Sequence, residues 1–236
     1  MVRRYSNSRR QDRSAQNRLD AIAAWVPKTD VGKKVKNKEI LTLEEIFETG
    51  KPILEYQIVD VLLPGLTEET LEISSTQRMT DCGRKMQFRA VVLVGDKAGH
   101  VGIGTGKSEE VKPAIESAVK SAKLNIISVP MGCGSWESRE KSFNSLPIKV
   151  VGKNGSVEVT LKPAPPGVGL AANKIVKKVL AAAGVKDIWS FSRGKTANIY
   201  NTGMAVINAL TNLSNMRIKG EWKDVGAKPQ AGAVTA

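Results

Sequence analysis

Between His100 and Lys107 the chain places glycine at every second position, Gly102, Gly104 and Gly106, with Val101, Ile103 and Thr105 between them. Period two belongs to an extended strand, so the three glycines share one face and the larger side chains share the other. One face of that strand is bare backbone. A bare face allows two readings: a helix or strand packs closely on it, or a flat or charged partner lies against it.

The wider stretch GDKAGHVGIGTGKS, Gly95 to Ser108, comes near a phosphate-binding loop and misses it on spacing. A Walker A loop needs Gly, four residues, then Gly-Lys-Ser/Thr, so that backbone N–H groups wrap the phosphates. Ahead of Gly106-Lys107-Ser108 the first position is Val101. The dinucleotide pattern fails as well, since the glycines read G-x-G-x-G instead of G-x-G-x-x-G. Glu109 and Glu110 follow at the expected helix entrance, where carboxylates suit the helix dipole but repel a bound phosphate. These residues argue against a nucleoside triphosphate site.

Charge narrows the class. The 236 residues carry a formal charge of +13 with a pI near 9.8, the balance of a protein with a polyanionic partner. From Met1 to Lys38 there are 11 Lys/Arg against Asp12, Asp20 and Asp30, a net +8. With few large apolar residues, this extension is expected to be disordered until it meets its partner. Glu39 to Thr76 reverses the sign, with nine acidic residues and Lys51 as the one base, and is expected to face solvent or a basic protein. The polar, arginine-rich start lacks the apolar centre of a signal peptide, and apolar runs such as Ala90 to Val94 are too short to span a bilayer. Cys82 and Cys133 make neither a disulfide framework nor a zinc set, and the single histidine, His100, excludes sites built on several imidazoles. The expectation is a cytosolic protein without metal, cofactor, membrane segment or nucleophilic catalytic pair.

The pattern predicts an α+β chain of two small α/β units. In the first, Thr42-Leu43-Glu44-Glu45 is a capping box with Leu41 and Ile46 as its staple, opening a helix that Gly50 and Pro52 stop. Tyr56 to Leu63 and Thr70 to Ser74 read as paired strands, Phe88 to Val94 as a third, turned at Gly95 to Gly99 into the glycine strand. Val111, Ala114, Ile115, Ala118, Val119, Ala122 and Ile126 mark one face of a helix whose start Pro113 confines to Glu109 to Val111. This α-β-β-β-α order resembles a double-stranded-RNA-binding domain. The second unit is β-β-α-β-α: strands at Ile148 to Val151 and Val157 to Leu161 around an Asn154-Gly155 turn, a helix ended by Gly184, a strand at Ile188 to Ser192, and a helix striped by Ile199, Gly203, Val206, Leu210 and Leu213. The expected boundaries are 1–38 for the basic extension, 39–129 for the first domain, 130–144 for a linker, 145–215 for the second domain and 216–236 for a mobile tail.

Few constellations carry chemistry. Gln77 to Lys85 reads as a long hairpin loop with Arg78, Arg84 and Lys85, where clustered cations match phosphate contacts better than a merely solvated loop given the overall charge. Arg193-Gly194-Lys195-Thr196, between a strand and a helix, reads either as a backbone nest with two cations for a phosphate or as a capping turn. His100 reads as a hairpin-edge residue in preference to a catalytic one.

Gly83-Arg84, Phe88, Ala90, Leu93, Val94, Gly95-Asp96, Gly99-His100-Val101-Gly102-Ile103-Gly104, Val111 and Ala114-Ile115, with Pro163 to Gly169 and Ala183-Gly184-Val185, resemble the signature of the small ribosomal subunit protein five family. The resemblance runs from Thr42 to Leu213 and is most similar to the archaeal and eukaryotic branch. It implies a structural protein on the solvent side of the small subunit, bound to small-subunit rRNA, lining the region where mRNA enters and influencing decoding accuracy. Ribosomal proteins four and eight are its implied neighbours. The glycine strand and basic loop of this family approach rRNA, which implies RNA contacts at Gln77, Arg78, Arg84, Lys85, Lys97, His100, Gly102, Gly104 and Lys107. The acidic pair Glu109 and Glu110 departs from the basic clamp of double-stranded-RNA-binding domains. Two other functions stay in view: a phosphotransferase, because the second unit is similar to a fold found in small-molecule kinases, and a free-standing duplex-RNA-binding module.

Overall fold

The computed structural model describes residues 25–138 and 143–216. The first 24 residues of the basic extension and the C-terminal tail beyond Met216, both expected to be mobile, lie outside the described residues. The chain divides into two compact units, Met1–Leu66 and Thr67–Ala236.

The first unit is helical: α1 Asp30–Lys36, α2 Leu43–Glu48 and α3 Tyr56–Leu62. Its core includes Trp25, Val31, Val35, Leu43, Ile46, Ile53, Ile58 and Val59. Three expectations are corrected here. Residues 25–38 are ordered, because the Thr29 hydroxyl accepts from the Gly32 amide to cap α1 and the Trp25 indole donates to Glu55 at 2.7 Å. Glu55 also accepts from the Lys28 and Thr29 amides, at 2.9 and 2.6 Å. Burial pushes its carboxyl up, but these donors outweigh that and hold it below the usual carboxylate range. Tyr56 to Leu62 is a helix, not a strand: Ile58 and Val59 are buried while Leu62 and Leu63, four residues on, are half-buried, so packing overrides β-branched preference. At α2, Glu45 reaches back to the Leu41 amide and the Thr42 hydroxyl, but Leu41 is 68 % exposed and forms no staple.

The second unit contains both α/β modules. In the first, β1 Thr67–Thr80, β2 Gly83–Gly95, β3 His100–Ser108 and β4 Ile126–Ser128 pair antiparallel in that order, with α4 Val111–Leu124 against them. In the second, β5 Val150–Asn154, β6 Val157–Pro163, β7 Leu170–Ala171 and β8 Ile188–Arg193 form a sheet of order β5-β6-β8-β7, with α5 Lys174–Ala183 and α6 Ile199–Ser214. Only β7 runs parallel to its neighbour β8.

The alternation around Gly104 is explained by what lies on each side of β3. On one side α4 comes so close that a Cβ on Gly102, Gly104 or Gly106 would stand 2.1 to 2.4 Å from backbone atoms of Ala122, Ala118 or Ala114. Those three alanines are fully buried. The bare face is therefore closed by a helix of the same chain. On the other side Val101 and Ile103, with Val91 and Leu93 of β2, join one hydrophobic core with Val159, Leu161, Leu180, Val206 and Leu210 of the second module. The two modules share a core. Between them, Gly132 bridges to Ser145 and the Gly134 amide donates to the Leu146 carbonyl at 3.1 Å, so the expected linker is pinned at both ends.

Strand β1 shows the same two-sidedness in charge. Glu68, opposite Val94, pairs with Lys123 of α4 at 3.4 Å, and Glu69, opposite Leu93, pairs with Lys178 of α5 at 2.6 Å. A register shift between Thr70 and Glu72 then leaves Leu71 packed against the shared core. Part of the acidic segment is thus matched by this chain's own lysines. At the other end of the unit Asn208 and Asn212 of α6 donate to the carbonyls of Lys153 and Val151 in β5.

Gly104→Ala drives a methyl group into the α4 backbone, and its unfolding free energy in urea is expected to fall by more than about 3 kcal/mol. Gly65→Ala, with no atom within 4 Å of the added carbon, is expected to stay within about 0.5 kcal/mol of the parent.

Candidate nucleic-acid interface

The stretch Gln77 to Lys85, expected to be a loop, is ladder. Thr80 pairs with Gly83 across a turn of Asp81 and Cys82, and pairing continues back through Met79↔Arg84, Arg78↔Lys85, Gln77↔Met86 and Thr76↔Gln87. Because β3 ends at Ser108 opposite Phe88, these five pairs have no third strand beside them. They form a two-stranded ribbon reaching about 17 Å beyond the sheet at strand rise. Both its faces meet solvent, so no apolar alternation marks it in sequence.

Pairing sorts the ribbon's side chains. Arg78 and Lys85 stand opposite one another with Thr76 and Gln87 on one face, and Lys107 opposite Arg89 continues that face onto the sheet. Arg84 and Met79 occupy the reverse face with Gln77 and Met86. Lys85 is paired with Glu109 at 2.7 Å, and its hydrogen bond, then its charge, hold the Glu109 carboxyl below the usual range. Among the described residues Arg78, Arg84 and Lys107 have no ion-pair partner. Arg89 lies over the Tyr200 ring of α6, 4.7 Å from its centroid, which brings the N-terminal end of α6 to the ribbon's base.

The other sequence-derived positions go elsewhere. Lys97 sits in the β2–β3 turn beyond the far end of β3, whose first residue, His100, is about 24 Å from Lys107 along the strand. Its backbone adopts φ 60° and its amide donates to the Ala182 carbonyl at 2.9 Å. His100 is 5 % exposed, with Nδ1 2.6 Å from Asp96 Oδ2, while Asp96 Oδ1 accepts the Ala98 and His100 amides. This imidazole organises the turn from inside. Gly102 and Gly104 lie under α4 and offer no surface, which corrects the expectation that they face RNA. At Arg193 to Thr196, Gly194 takes φ 88°, the Thr196 amide donates to the Gly194 carbonyl, and Asn198 caps α6 by accepting from the Asn201 amide. That is the geometry of a capping turn, with Arg193 and Lys195 exposed on it.

Arg89 was missed in sequence reasoning, although an arginine among Phe88, Ala90 and Val91 is a visible break in an apolar strand. Asp187 was missed too. Buried, it accepts from Asn144 at 2.5 Å and from the Gly167 and Gly169 amides, fixing the Pro165 to Gly169 loop. Among the described residues no group of three His, Cys, Asp or Glu side chains is placed to hold a metal ion, and no helix is long and apolar enough to cross a membrane.

Comparison with known proteins agrees with the sheet modules. The model of the ribosomal protein S5 N-terminal domain matches residues 66–130, and that of the ribosomal protein S5 C-terminal domain matches residues 152–222. The chain is 49 % identical over 203 residues to small ribosomal subunit protein uS5 of Aeropyrum pernix, covering 86 % of this chain and 93 % of the relative. It is 48 % identical over 195 residues to the protein of that name from Methanoregula boonei, covering 83 % and 95 %. With the Pyrobaculum calidifontis protein it shares 50 % identity over 191 residues, covering 81 % and 95 %. The two ordered domains and this coverage make the chain a member of the ribosomal protein S5 family, of the archaeal type.

Asp96 supplies a pH test. Burial raises its carboxyl, but the His100 side chain and the His100 and Ala98 amides outweigh that and leave it below the usual aspartate range. A folded value below the unfolded one gives stability that is complete above the unfolded pKa and lost as pH falls through the folded one. Asp96→Asn is therefore expected to be less stable than the parent at neutral pH and to converge on it below about pH 4, read from urea midpoints across a pH series.

Proposed function

We propose that this protein is a non-catalytic structural constituent of the small ribosomal subunit in the cytoplasm, and that its β1–β2 ribbon is a contact to small-subunit rRNA. The observation that carries the reading is the free ribbon, which holds Arg78 and Lys85 opposite one another and aligns them with Lys107 and Arg89. Clustered cations on a narrow two-stranded projection suit the phosphates of folded RNA, and a formal charge of +13 favours the encounter. The relatives' shared name, small ribosomal subunit protein uS5, supports the assembly. The reading extends to lining the path by which mRNA enters, to an influence on decoding accuracy, and to ribosomal proteins four and eight as neighbours.

The near-miss phosphate loop lends the phosphotransferase reading no support. The backbone of Val101 to Ser108 is paired in register with Gly95 to Phe88, so it forms a ladder instead of wrapping a phosphate. A usual duplex-binding mode is disfavoured because the entrance to α4 carries the carboxylates Glu109 and Glu110 where a basic clamp would meet phosphates.

Binding of the purified protein to an rRNA fragment is expected to weaken steeply between low and moderate salt. Arg78→Ala/Lys85→Ala should weaken it further and lower the salt slope by about two, one per lost phosphate contact. A binding constant indifferent to salt would sink the rRNA reading, and a double variant that enters small subunits as well as the parent would remove the ribbon from it.

A further inference from the structure

The second sheet has a closed face and an open one. Val150, Val157, Val159, Leu161 and Ile188 point into the shared core. The register places Trp189, Phe191 and Arg193 together on the opposite face of β8, beside Lys162, Thr160 and Glu158 of β6, with Lys153 across from Glu158 on β5. Phe191 is 66 % exposed and Trp189 38 %. Leaving most of Phe191 and part of Trp189 in water forgoes the stabilisation that burying them would give, which marks this face as made for an occupant.

The chemistry of the face selects the occupant. Trp189 and Phe191 are two residues apart on one strand, about 7 Å, a span that two neighbouring nucleotides of a single strand can bridge. Their lateral neighbours in the register are Lys162, Thr160 and Ala171. Lys162 Nζ lies over the Phe191 ring, 5.7 Å from its centroid, so a cation is already held against the platform. Lys153, Lys162 and Arg193 outnumber Glu158, the one carboxylate that the paired strands place there. Exposed aromatics on a sheet, ringed by cations, suit unpaired bases and their phosphates, whereas a duplex keeps its base faces stacked inside.

We propose that this outer face binds single-stranded RNA, with Trp189 and Phe191 stacking on unpaired bases and Lys153, Lys162 and Arg193 meeting the backbone phosphates. The site is separate from the ribbon and stands or falls independently of it. Fluorescence anisotropy of the full chain with labelled eight-nucleotide oligouridylate and oligoadenylate tests it. Trp189→Ala/Phe191→Ala should bind at least about tenfold more weakly with the salt slope unchanged, because the lost contact is stacking and not ionic. Trp189→Phe/Phe191→Tyr should retain binding, and Lys162→Ala/Arg193→Ala should lower the slope by about 1.4. Photocrosslinking of the unaltered protein to 5-iodouridine-substituted oligouridylate should label Trp189 or Phe191, which requires no variant to fold. Unchanged binding by the alanine pair, or crosslinks confined to the ribbon, would overturn the proposal and leave the ribbon reading intact. So would a loss of oligonucleotide binding in Arg78→Ala/Lys85→Ala with none in the aromatic variant.

Discussion

Everything in the larger unit depends on how near α4 comes to β3. Glycine on the strand and alanine on the helix remove the side-chain layer that normally separates the two, so main chain packs on main chain and dispersion contacts form over the whole overlap. That proximity uses up one face of the sheet with little side-chain volume. The other face is left to Val91, Leu93, Val101 and Ile103, which meet the second module. A helix packed closely on one face and the shared core on the other make two modules into one folded body.

Charge is distributed on the same logic. Glu68 and Glu69, adjacent in β1, project to opposite faces and engage lysines on α4 and α5. Exposed pairs of this kind contribute little stability, but Lys123 is buried and its pairing with Glu68 avoids an uncompensated charge there. Acidic side chains are thus occupied internally where the sheet is covered. Basic side chains gather where it is not, on the ribbon and on the open face of the second sheet.

How much was legible follows from how many faces of each element are buried. Helix α4 and the Asn154-Gly155 hairpin were readable, because an apolar stripe and a turn pair are local signals. The ribbon was not, since a strand solvated on both faces writes no alternation and Gln77 to Lys85 looks like a loop. Helix α3 was misread because β-branched Ile58 and Val59 favour a strand locally and only their burial decides otherwise. At the candidate interface Arg78, Arg84 and Lys85 were singled out from charge and Lys107 from the family resemblance, but Lys97 and His100 proved to be remote, and the bare glycine face was taken by α4. Sequence spacing shows which face a residue shares. It does not show which face another part of the chain will cover.

The amide groups of Asn208 and Asn212 have a consequence outside the fold itself. Strand β5 is the outermost strand of its sheet, and an outermost strand offers carbonyls to which any extended chain can add. Two of those carbonyls, on Val151 and Lys153, are already engaged by α6. A copy awaiting its place in a larger particle therefore presents a blunted border to other copies at β5, and strand addition along that edge is discouraged in the interval when the chain is alone.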